Sequence, residues 1–307
     1  MHPTDPAITI RNLHFGYNKN QLILRDMNLE VVPSSIYGFL GANGAGKSTT
    51  IRSILGLLRP HSGGIEIFGQ NVRQHRKSLL RKVGALIESP SLYGHLSGID
   101  NLRIACKYLN VPETRISEVL ELVNLQHAAK KRAKQYSTGM KQRLGLALAL
   151  LSDPDLLILD EPVNGLDPSG IIEIRHIIKA LHQRGKTIFL SSHILSEIEK
   201  IATRVGIIKE GAMVFQGSVK ELEQLKKSNM SVRIVAADAQ KITSVLNGTH
   251  QAQVQDAHTV EALLDDRESL PQLIQSLVNK GVDLYEVTPL RNDLEKLFIN
   301  LTSNAES

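Results

Sequence analysis

Residues 41–48 read GANGAGKS, a glycine-rich octapeptide that ends in a lysine and a hydroxyl. The spacing G-x-x-x-x-G-K-[ST] has one natural setting: a strand that stops, a loop of converging backbone N–H groups, and a helix that starts. Both flanks fit. The apolar run IYGFL (36–40) leads in, and Ile51, Ile54, Leu55 and Leu58 then recur at the i, i+3, i+4, i+7 interval of one helix face. Arg59-Pro60 is expected to stop that helix. Glycine lets consecutive N–H groups approach phosphate oxygens with no Cβ in the way. The cradle comprises Gly41, Ala42, Asn43, Gly44, Ala45, Gly46, Lys47, Ser48 and Thr49. Lys47 is placed to reach the β- and γ-phosphates, and the Ser48 hydroxyl to ligate Mg2+. The fold that presents such a loop is an open α/β sheet with its ligand at the C-terminal edge of the strands.

A partner for the cradle lies further along. LLILDEP (156–162) sets Asp160 and Glu161 at the end of a wholly apolar run. There Asp160 would hold Mg2+, often through water, and Glu161 would orient or deprotonate an attacking water. A surface Asp-Glu pair is the ordinary alternative, but this pair closes a buried strand, where open sheets bind their ligands. TIFLS (187–191) reads as a second buried strand, with His193 just beyond it. The chain holds 11 histidines, most of them ordinary surface or core residues.

ITI (8–10), GIIK and MVFQG (near 206–217) add strands to a three-layer α/β core. Residues from about 89 to 152 are expected to form a helical insert, begun by Ser97 three residues before Asp100 and mostly helical over 100–135. GSVKELEQLKK (217–227), with Ser218 and Glu221 in capping-box spacing, makes a last helix in a domain expected to span 1–228. Composition then turns acidic. Residues 231–307 hold 6 Lys+Arg against 11 Asp+Glu, a net of −5, which leaves +10 on residues 1–230 of a chain whose total is +5. Residues 229–307 read as a separate small α/β domain: strand, helix, strand, helix (SLPQLIQSLVNK), strand (VDLYEV), helix (RNDLEKLFINL). No motif in it carries chemistry that can be named.

Other classes are excluded by composition. An apolar content of 42% with 22% charged residues is ordinary for a soluble globular protein. The longest apolar stretches, such as LGLALALL (144–151), reach about half the roughly 18 residues of a membrane span. The opening MHPTDPAITI lacks a charged-then-apolar signal pattern, so the chain is expected to stay in the cytoplasm. The single cysteine, Cys106, has no internal disulfide partner and reads as a small core residue. No Cys/His cluster has metal-ligand spacing. The basic runs RQHRKSLLRK (73–82) and KKRAK (130–134) are solvated helix faces or a face near anionic lipid or an acidic partner. Nucleic acid is not expected, because aromatic residues total 4% with no tryptophan and stacking platforms are scarce.

YSTGM (136–140) raises a different question. A Ser-Thr-Gly turn opening a long apolar helix is a second ready-made anion site, nearly a hundred residues beyond the first. In order, the octapeptide, YSTGM, LLILDEP, NGLDP with Asp167, and His193 resemble the nucleotide-binding subunit of ABC transporters, over residues 8 to about 225. That resemblance implies a mixed-sheet P-loop NTPase core with a helical subdomain, and ATP with Mg2+ as cofactors. It implies an adenine-stacking role for Tyr17 and a γ-phosphate contact for His193. It also answers the question: two such subunits form a head-to-tail sandwich, so Ser137, Thr138 and Gly139 would face the phosphate held by the partner copy's Lys47. The partners implied are a second ATPase subunit, a homodimer before a heterodimer, and an integral membrane permease. The implied location is peripheral on the inner face of the cell membrane.

Two departures stand out. The signature is Ser-Thr-Gly-Met rather than Ser-Gly-Gly-Gln, which adds the bulk and hydroxyl of Thr138. The family usually has glutamine where this chain has Glu88, which keeps a metal-ligating oxygen but loses a donor and adds charge. Glu88 and the ending DLEKLFINLT resemble the ATPases of bacitracin and lantibiotic self-protection exporters. The alternative is a soluble ABC-type mechanical ATPase acting on DNA or ribosomes. Against it, only 89 residues separate Ser48 from Ser137, too few for a long coiled coil, and there is one P-loop rather than two. A P-loop kinase would leave YSTGM and NGLDP unexplained.

Overall fold

The computed structural model describes residues 5–18, 21–227, 230–246, 251–264 and 268–290. The chain divides into two compact units, residues 1–217 and 218–307.

In the first unit the strands are β1 (Ile8–Phe15), β2 (Leu24–Val31), β3 (Ile36–Leu40), β4 (Ser62–Ile67), β5 (Gln70–Asn71), β6 (Val83–Leu86), β7 (Leu156–Leu159), β8 (Thr187–Ser192), β9 (Arg204–Lys209) and β10 (Ala212–Ser218). Helix α1 (Lys47–Ile54) follows β3 and α2 (Val72–Leu79) follows β5. Between β6 and β7 lie α3 (Gly98–Leu109), α4 (Thr114–Leu122) and α5 (Thr138–Leu150); α6 (Pro168–Gln183) and α7 (Leu195–Glu199) flank β8.

One sheet has the order β10-β9-β3-β8-β7-β6. Within it β3 pairs in parallel with β8 and β9, β7 with β8, and β6 with β7. Every residue of β3, β7 and β8 is buried, which is why these strands read as unbroken apolar runs. The second sheet, β2-β1-β4-β5, is antiparallel, and of its strands only β1 is expected from the sequence.

The helical insert is present as α3–α5. Ser97 caps α3, accepting from Asp100 N–H at 3.2 Å as its spacing predicts. Helix α5 is buried along most of its length and apolar on nearly every side. Buried Arg143 anchors it, donating to Val123 and Asn124 carbonyls at 3.2 and 2.9 Å just past the end of α4. Cys106 lies buried in α3, and burial pushes its thiol up, as suits a packing residue. Helix α1 ends earlier than Arg59-Pro60 would require. Gly56 adopts φ 65, a left-handed residue that closes the helix just beyond Ile54.

The second unit opens with α8 (Val219–Lys227), where Ser218 and Glu221 form the expected capping box. There follow β11 (Met230–Ala236), α9 (Ala239–Leu246), β12 (Ala252–Val254), β13 (Thr259–Leu264), α10 (Ser269–Asn279) and β14 (Leu284–Pro289). Their order β12-β13-β11-β14, antiparallel throughout, is a split βαβ arrangement. Val232, Ile234, Val260 and Ala262 pack against Ile242, Leu246, Leu273 and Leu277 of the two helices. Where the sequence suggested one strand between two helices, there is a hairpin. The helix expected from RNDLEKLFINL lies outside the described residues. Among the described residues, no helix is long and apolar enough to cross a membrane.

Candidate functional site

Four strand ends meet at one edge of the larger sheet, because β3, β8, β7 and β6 are parallel neighbours. Beyond them come Gly41, His193, Asp160 and Glu88, so the topology alone gathers most of the residues that the sequence marked.

The loop after β3 turns through Gly44 at φ 85 and Gly46 at φ 110, the latter ending the loop as the cap of α1. A side chain at Gly46 would be strained, and its Cβ would come within 2.9 Å of Leu24 Cδ2. Thr50 N–H donates to Gly46 O at 2.9 Å, so the N–H groups of Lys47, Ser48 and Thr49 precede the first helical donor and have no intrahelical acceptor. Together with the helix dipole they make an anion site. Lys47 is 6% exposed and folds back over the loop, donating to Gly41 O at 2.8 Å and Ala42 O at 3.2 Å. Its Nζ also lies 3.3 Å from Glu161 Oε1.

Asp160 follows β7 and is 1% exposed. Its Oδ1 accepts from Ser191 Oγ at 2.5 Å, while Oδ2 is buried with no hydrogen-bond partner among the described residues. Glu161 adopts φ 49 and donates its N–H to Ser191 Oγ at 2.9 Å. Its carboxylate lies between two side chains: Lys47 on one oxygen and His193 Nδ1, 2.9 Å away, on the other.

The unpartnered Asp160 Oδ2 and the half-buried Ser48 hydroxyl are hard oxygen donors of the kind Mg2+ takes. Among the described residues no three His, Cys, Asp or Glu side chains form a metal cage. A cation here would complete its sphere with phosphate oxygens and water, the habit of Mg2+ in nucleotide sites.

Lys47, Asp160, Glu161 and His193 thus form one connected group. The other marked residues outside the loop 41–49 have no bond to that group among the described residues. Glu88, at φ 57 and 62% exposed, ion-pairs with Arg52, one helical turn beyond Ser48 on α1. Tyr17 is 58% exposed and set edge-on to Phe15 with ring centroids 5.1 Å apart. Ser137 caps α5, accepting from Met140 N–H at 3.2 Å, and both Ser137 and Thr138 are exposed. Asp167 caps α6, accepting from Gly170 N–H at 3.1 Å; the Ser169 hydroxyl on its other oxygen holds its carboxyl below the usual range. A side chain on Gly139 would meet Leu166 of NGLDP, so these two motifs are neighbours. No hydrogen bond or ion pair among the described residues joins Ser137, Thr138 or Gly139 to the loop 41–49.

Sequence reasoning missed two of these partners. In the sequence Ser191 is part of an apolar strand, although a hydroxyl buried there must find bonds. In the sequence Arg52 stands out only as a helix residue, although a basic side chain one turn after Ser48 is the cue.

The ABC transporter family profile matches residues 24–164. The chain is 42% identical over 282 residues to the bacitracin transport ATP-binding protein BcrA of Bacillus licheniformis, covering 90% of each. It is 43% identical over 220 residues to the lantibiotic transport ATP-binding protein SrtF of Streptococcus pyogenes, covering 72% of this chain and 94% of that one. Among solved structures, an ATP binding subunit of an ABC transporter matches with TM-score 0.65 and 30% identity, over 71% of this chain and 92% of that one. CbiO1 of Clostridium perfringens, part of the cbiONQ ABC transporter complex, matches with TM-score 0.67 and 27% identity, over 72% and 91%.

Proposed function

This chain belongs to the ABC transporter ATP-binding family, and from that we infer that it powers an exporter whose membrane-spanning permease is a separate chain. Its activity is ATP binding and hydrolysis. In the proposed working unit two copies sandwich two nucleotides, each lying between one copy's loop 41–49 and the other's Ser137–Gly139. The carrying observation is the division of labour between two helix N-termini. The first has Lys47, Asp160, Glu161 and His193 beside it, while the second, at exposed Ser137 and Thr138, has no bond to the phosphate loop among the described residues. A half-site of that kind becomes useful when another molecule brings the anion.

The local chemistry follows from the pairings. A nucleotide phosphate over the loop competes with Glu161 for Lys47, and Glu161 Oε1 is then released to orient a water. His193 keeps hold of the other oxygen and aims it. Ser48 and Asp160 Oδ2 would hold Mg2+, whose charge would offset that of the phosphates. Tyr17, exposed at the edge of the unit, offers its ring to adenine, and Asp167 with Leu166 borders the partner-facing half-site. Hydrolysis would open the sandwich, a two-state motion that a permease can follow.

The cargo assigned is an antimicrobial peptide or similar amphipathic molecule, supported by the names of the bacitracin and lantibiotic relatives. The chain is placed on the cytoplasmic face of the membrane, held there by the permease. Exposed Tyr93, Ile104, Tyr108 and Leu109, on α3 and the loop before it, are the apolar surface offered for that docking. The test is to tag the protein at native level, solubilise membranes gently and identify what copurifies. A polytopic membrane protein in near-stoichiometric amount is expected. Recovery only in the soluble fraction, with ribosomes or DNA, would overturn the exporter and leave the ATPase standing.

A further inference from the structure

Ser191 is completely buried in β8, yet its hydroxyl is the junction between β8 and the end of β7. Its Oγ–H donates to Asp160 Oδ1 at 2.5 Å, and the same oxygen accepts the Glu161 N–H at 2.9 Å. A serine hydroxyl has one proton to give and lone pairs to receive with, so the two bonds fix each other's direction. Two consequences follow. The Asp160 carboxylate loses its freedom to rotate: Oδ1 is committed, and Oδ2 is left presented, buried and without a partner. Glu161, at φ 49, occupies a backbone region that is unfavourable for a residue with a Cβ and needs an outside restraint. The bond to its N–H is that restraint.

We propose that Ser191 is a positioning residue for the divalent cation, turning Asp160 so that Oδ2 faces the metal and holding Glu161 in the turn that carries its carboxylate to Lys47 and His193. The inference rests on the reading of this site as one that takes nucleotide with a divalent cation. It makes the end of β8 a double restraint on Glu161, through Ser191 at the backbone and His193 at the carboxylate. Outer residues of this kind fix the orientation of a ligating carboxylate and so set metal affinity.

The test uses the full chain with Mn2+ as probe, counted by its paramagnetic resonance in the presence of a nonhydrolysable ATP analogue. Nucleotide affinity without metal is measured separately, by titrating a fluorescent ATP analogue in chelator. Ser191→Ala is compared with Ser192→Ala, which removes a buried hydroxyl bonded, among the described residues, only to the Ile194 backbone. The expectation is that Ser191→Ala weakens Mn2+ binding by about 10- to 100-fold and leaves metal-free nucleotide affinity unchanged. Ser192→Ala should keep the wild-type metal affinity. The proposal is overturned if Ser191→Ala binds Mn2+ like wild type, if both variants weaken it equally, or if metal-free nucleotide binding falls in step. A wild-type chain that binds no Mn2+ with the analogue would strike at the reading of the site itself. That result is read before any substitution is made, so the two failures are told apart.

Discussion

Lys47 and His193 lean on the same carboxylate, so substitutions at the site separate into those that cost binding and those that cost hydrolysis. Lys47→Ala removes a charge-assisted contact to phosphate, and ATP affinity should fall by roughly 1.5–3 kcal/mol, about 10- to 150-fold. A fluorescent-nucleotide titration measures it. Glu88→Gln is a different case. Its pair with Arg52 is largely exposed, so the variant should change unfolding free energy by less than about 1 kcal/mol. It should nevertheless shift the magnesium dependence of hydrolysis, because it removes a charge beside the helix that carries Ser48. An unchanged magnesium curve would count against a metal role for Glu88.

At the level of elements, the helix after NGLDP and the helix after His193 are joined by one ion pair. Arg175 of α6 meets Glu197 of α7 at 2.7 Å, both largely buried, with Lys200 on the other carboxylate oxygen at 3.1 Å. Burial works to raise the Glu197 pKa, but Lys200 and Arg175 outweigh it and the net shift is downward. A lowered carboxyl contributes stability that is whole above its unfolded value, about 4.5, and is lost as pH falls through the folded value. Glu197→Gln should therefore destabilise the chain at pH 7. Its deficit against wild type should close as denaturation is repeated at lower pH, and a deficit constant with pH would contradict the assignment.

The same scale shows why some elements were legible and others were not. β3, β7 and β8 are buried on both faces and announce themselves as apolar runs. β2 and β4 face solvent on one side; β4 begins with Ser-Gly-Gly, and left-handed Asn12 and Asp26 break the alternation where β1 and β2 pair. β12 is exposed along its length, and three residues are too few for its Ala-Gln-Val alternation to stand out. In the site, the phosphate loop and the Asp-Glu pair were readable because each is a contiguous pattern. The ties that aim them were not, since Ser191 finds Asp160 across 31 residues and Arg52 finds Glu88 across 36.

As a whole, the molecule is two units with separate apolar cores, and every residue of the candidate site lies in the first. A chain ending at residue 217 should therefore bind ATP with the affinity of the full chain, as isothermal titration would show. A truncated chain that folds but binds far more weakly would assign the second unit a part in the site.

Hydrolysis between two copies is tested most directly by Glu161→Gln. The substitution keeps Lys47 and the phosphate loop but removes the carboxylate that orients water. Sedimentation of this variant at micromolar concentration, with and without ATP and magnesium, should show a monomer that becomes a dimer only with nucleotide, while hydrolysis falls far below wild type. A variant that binds ATP to saturation and remains a monomer would contradict the self-sandwich.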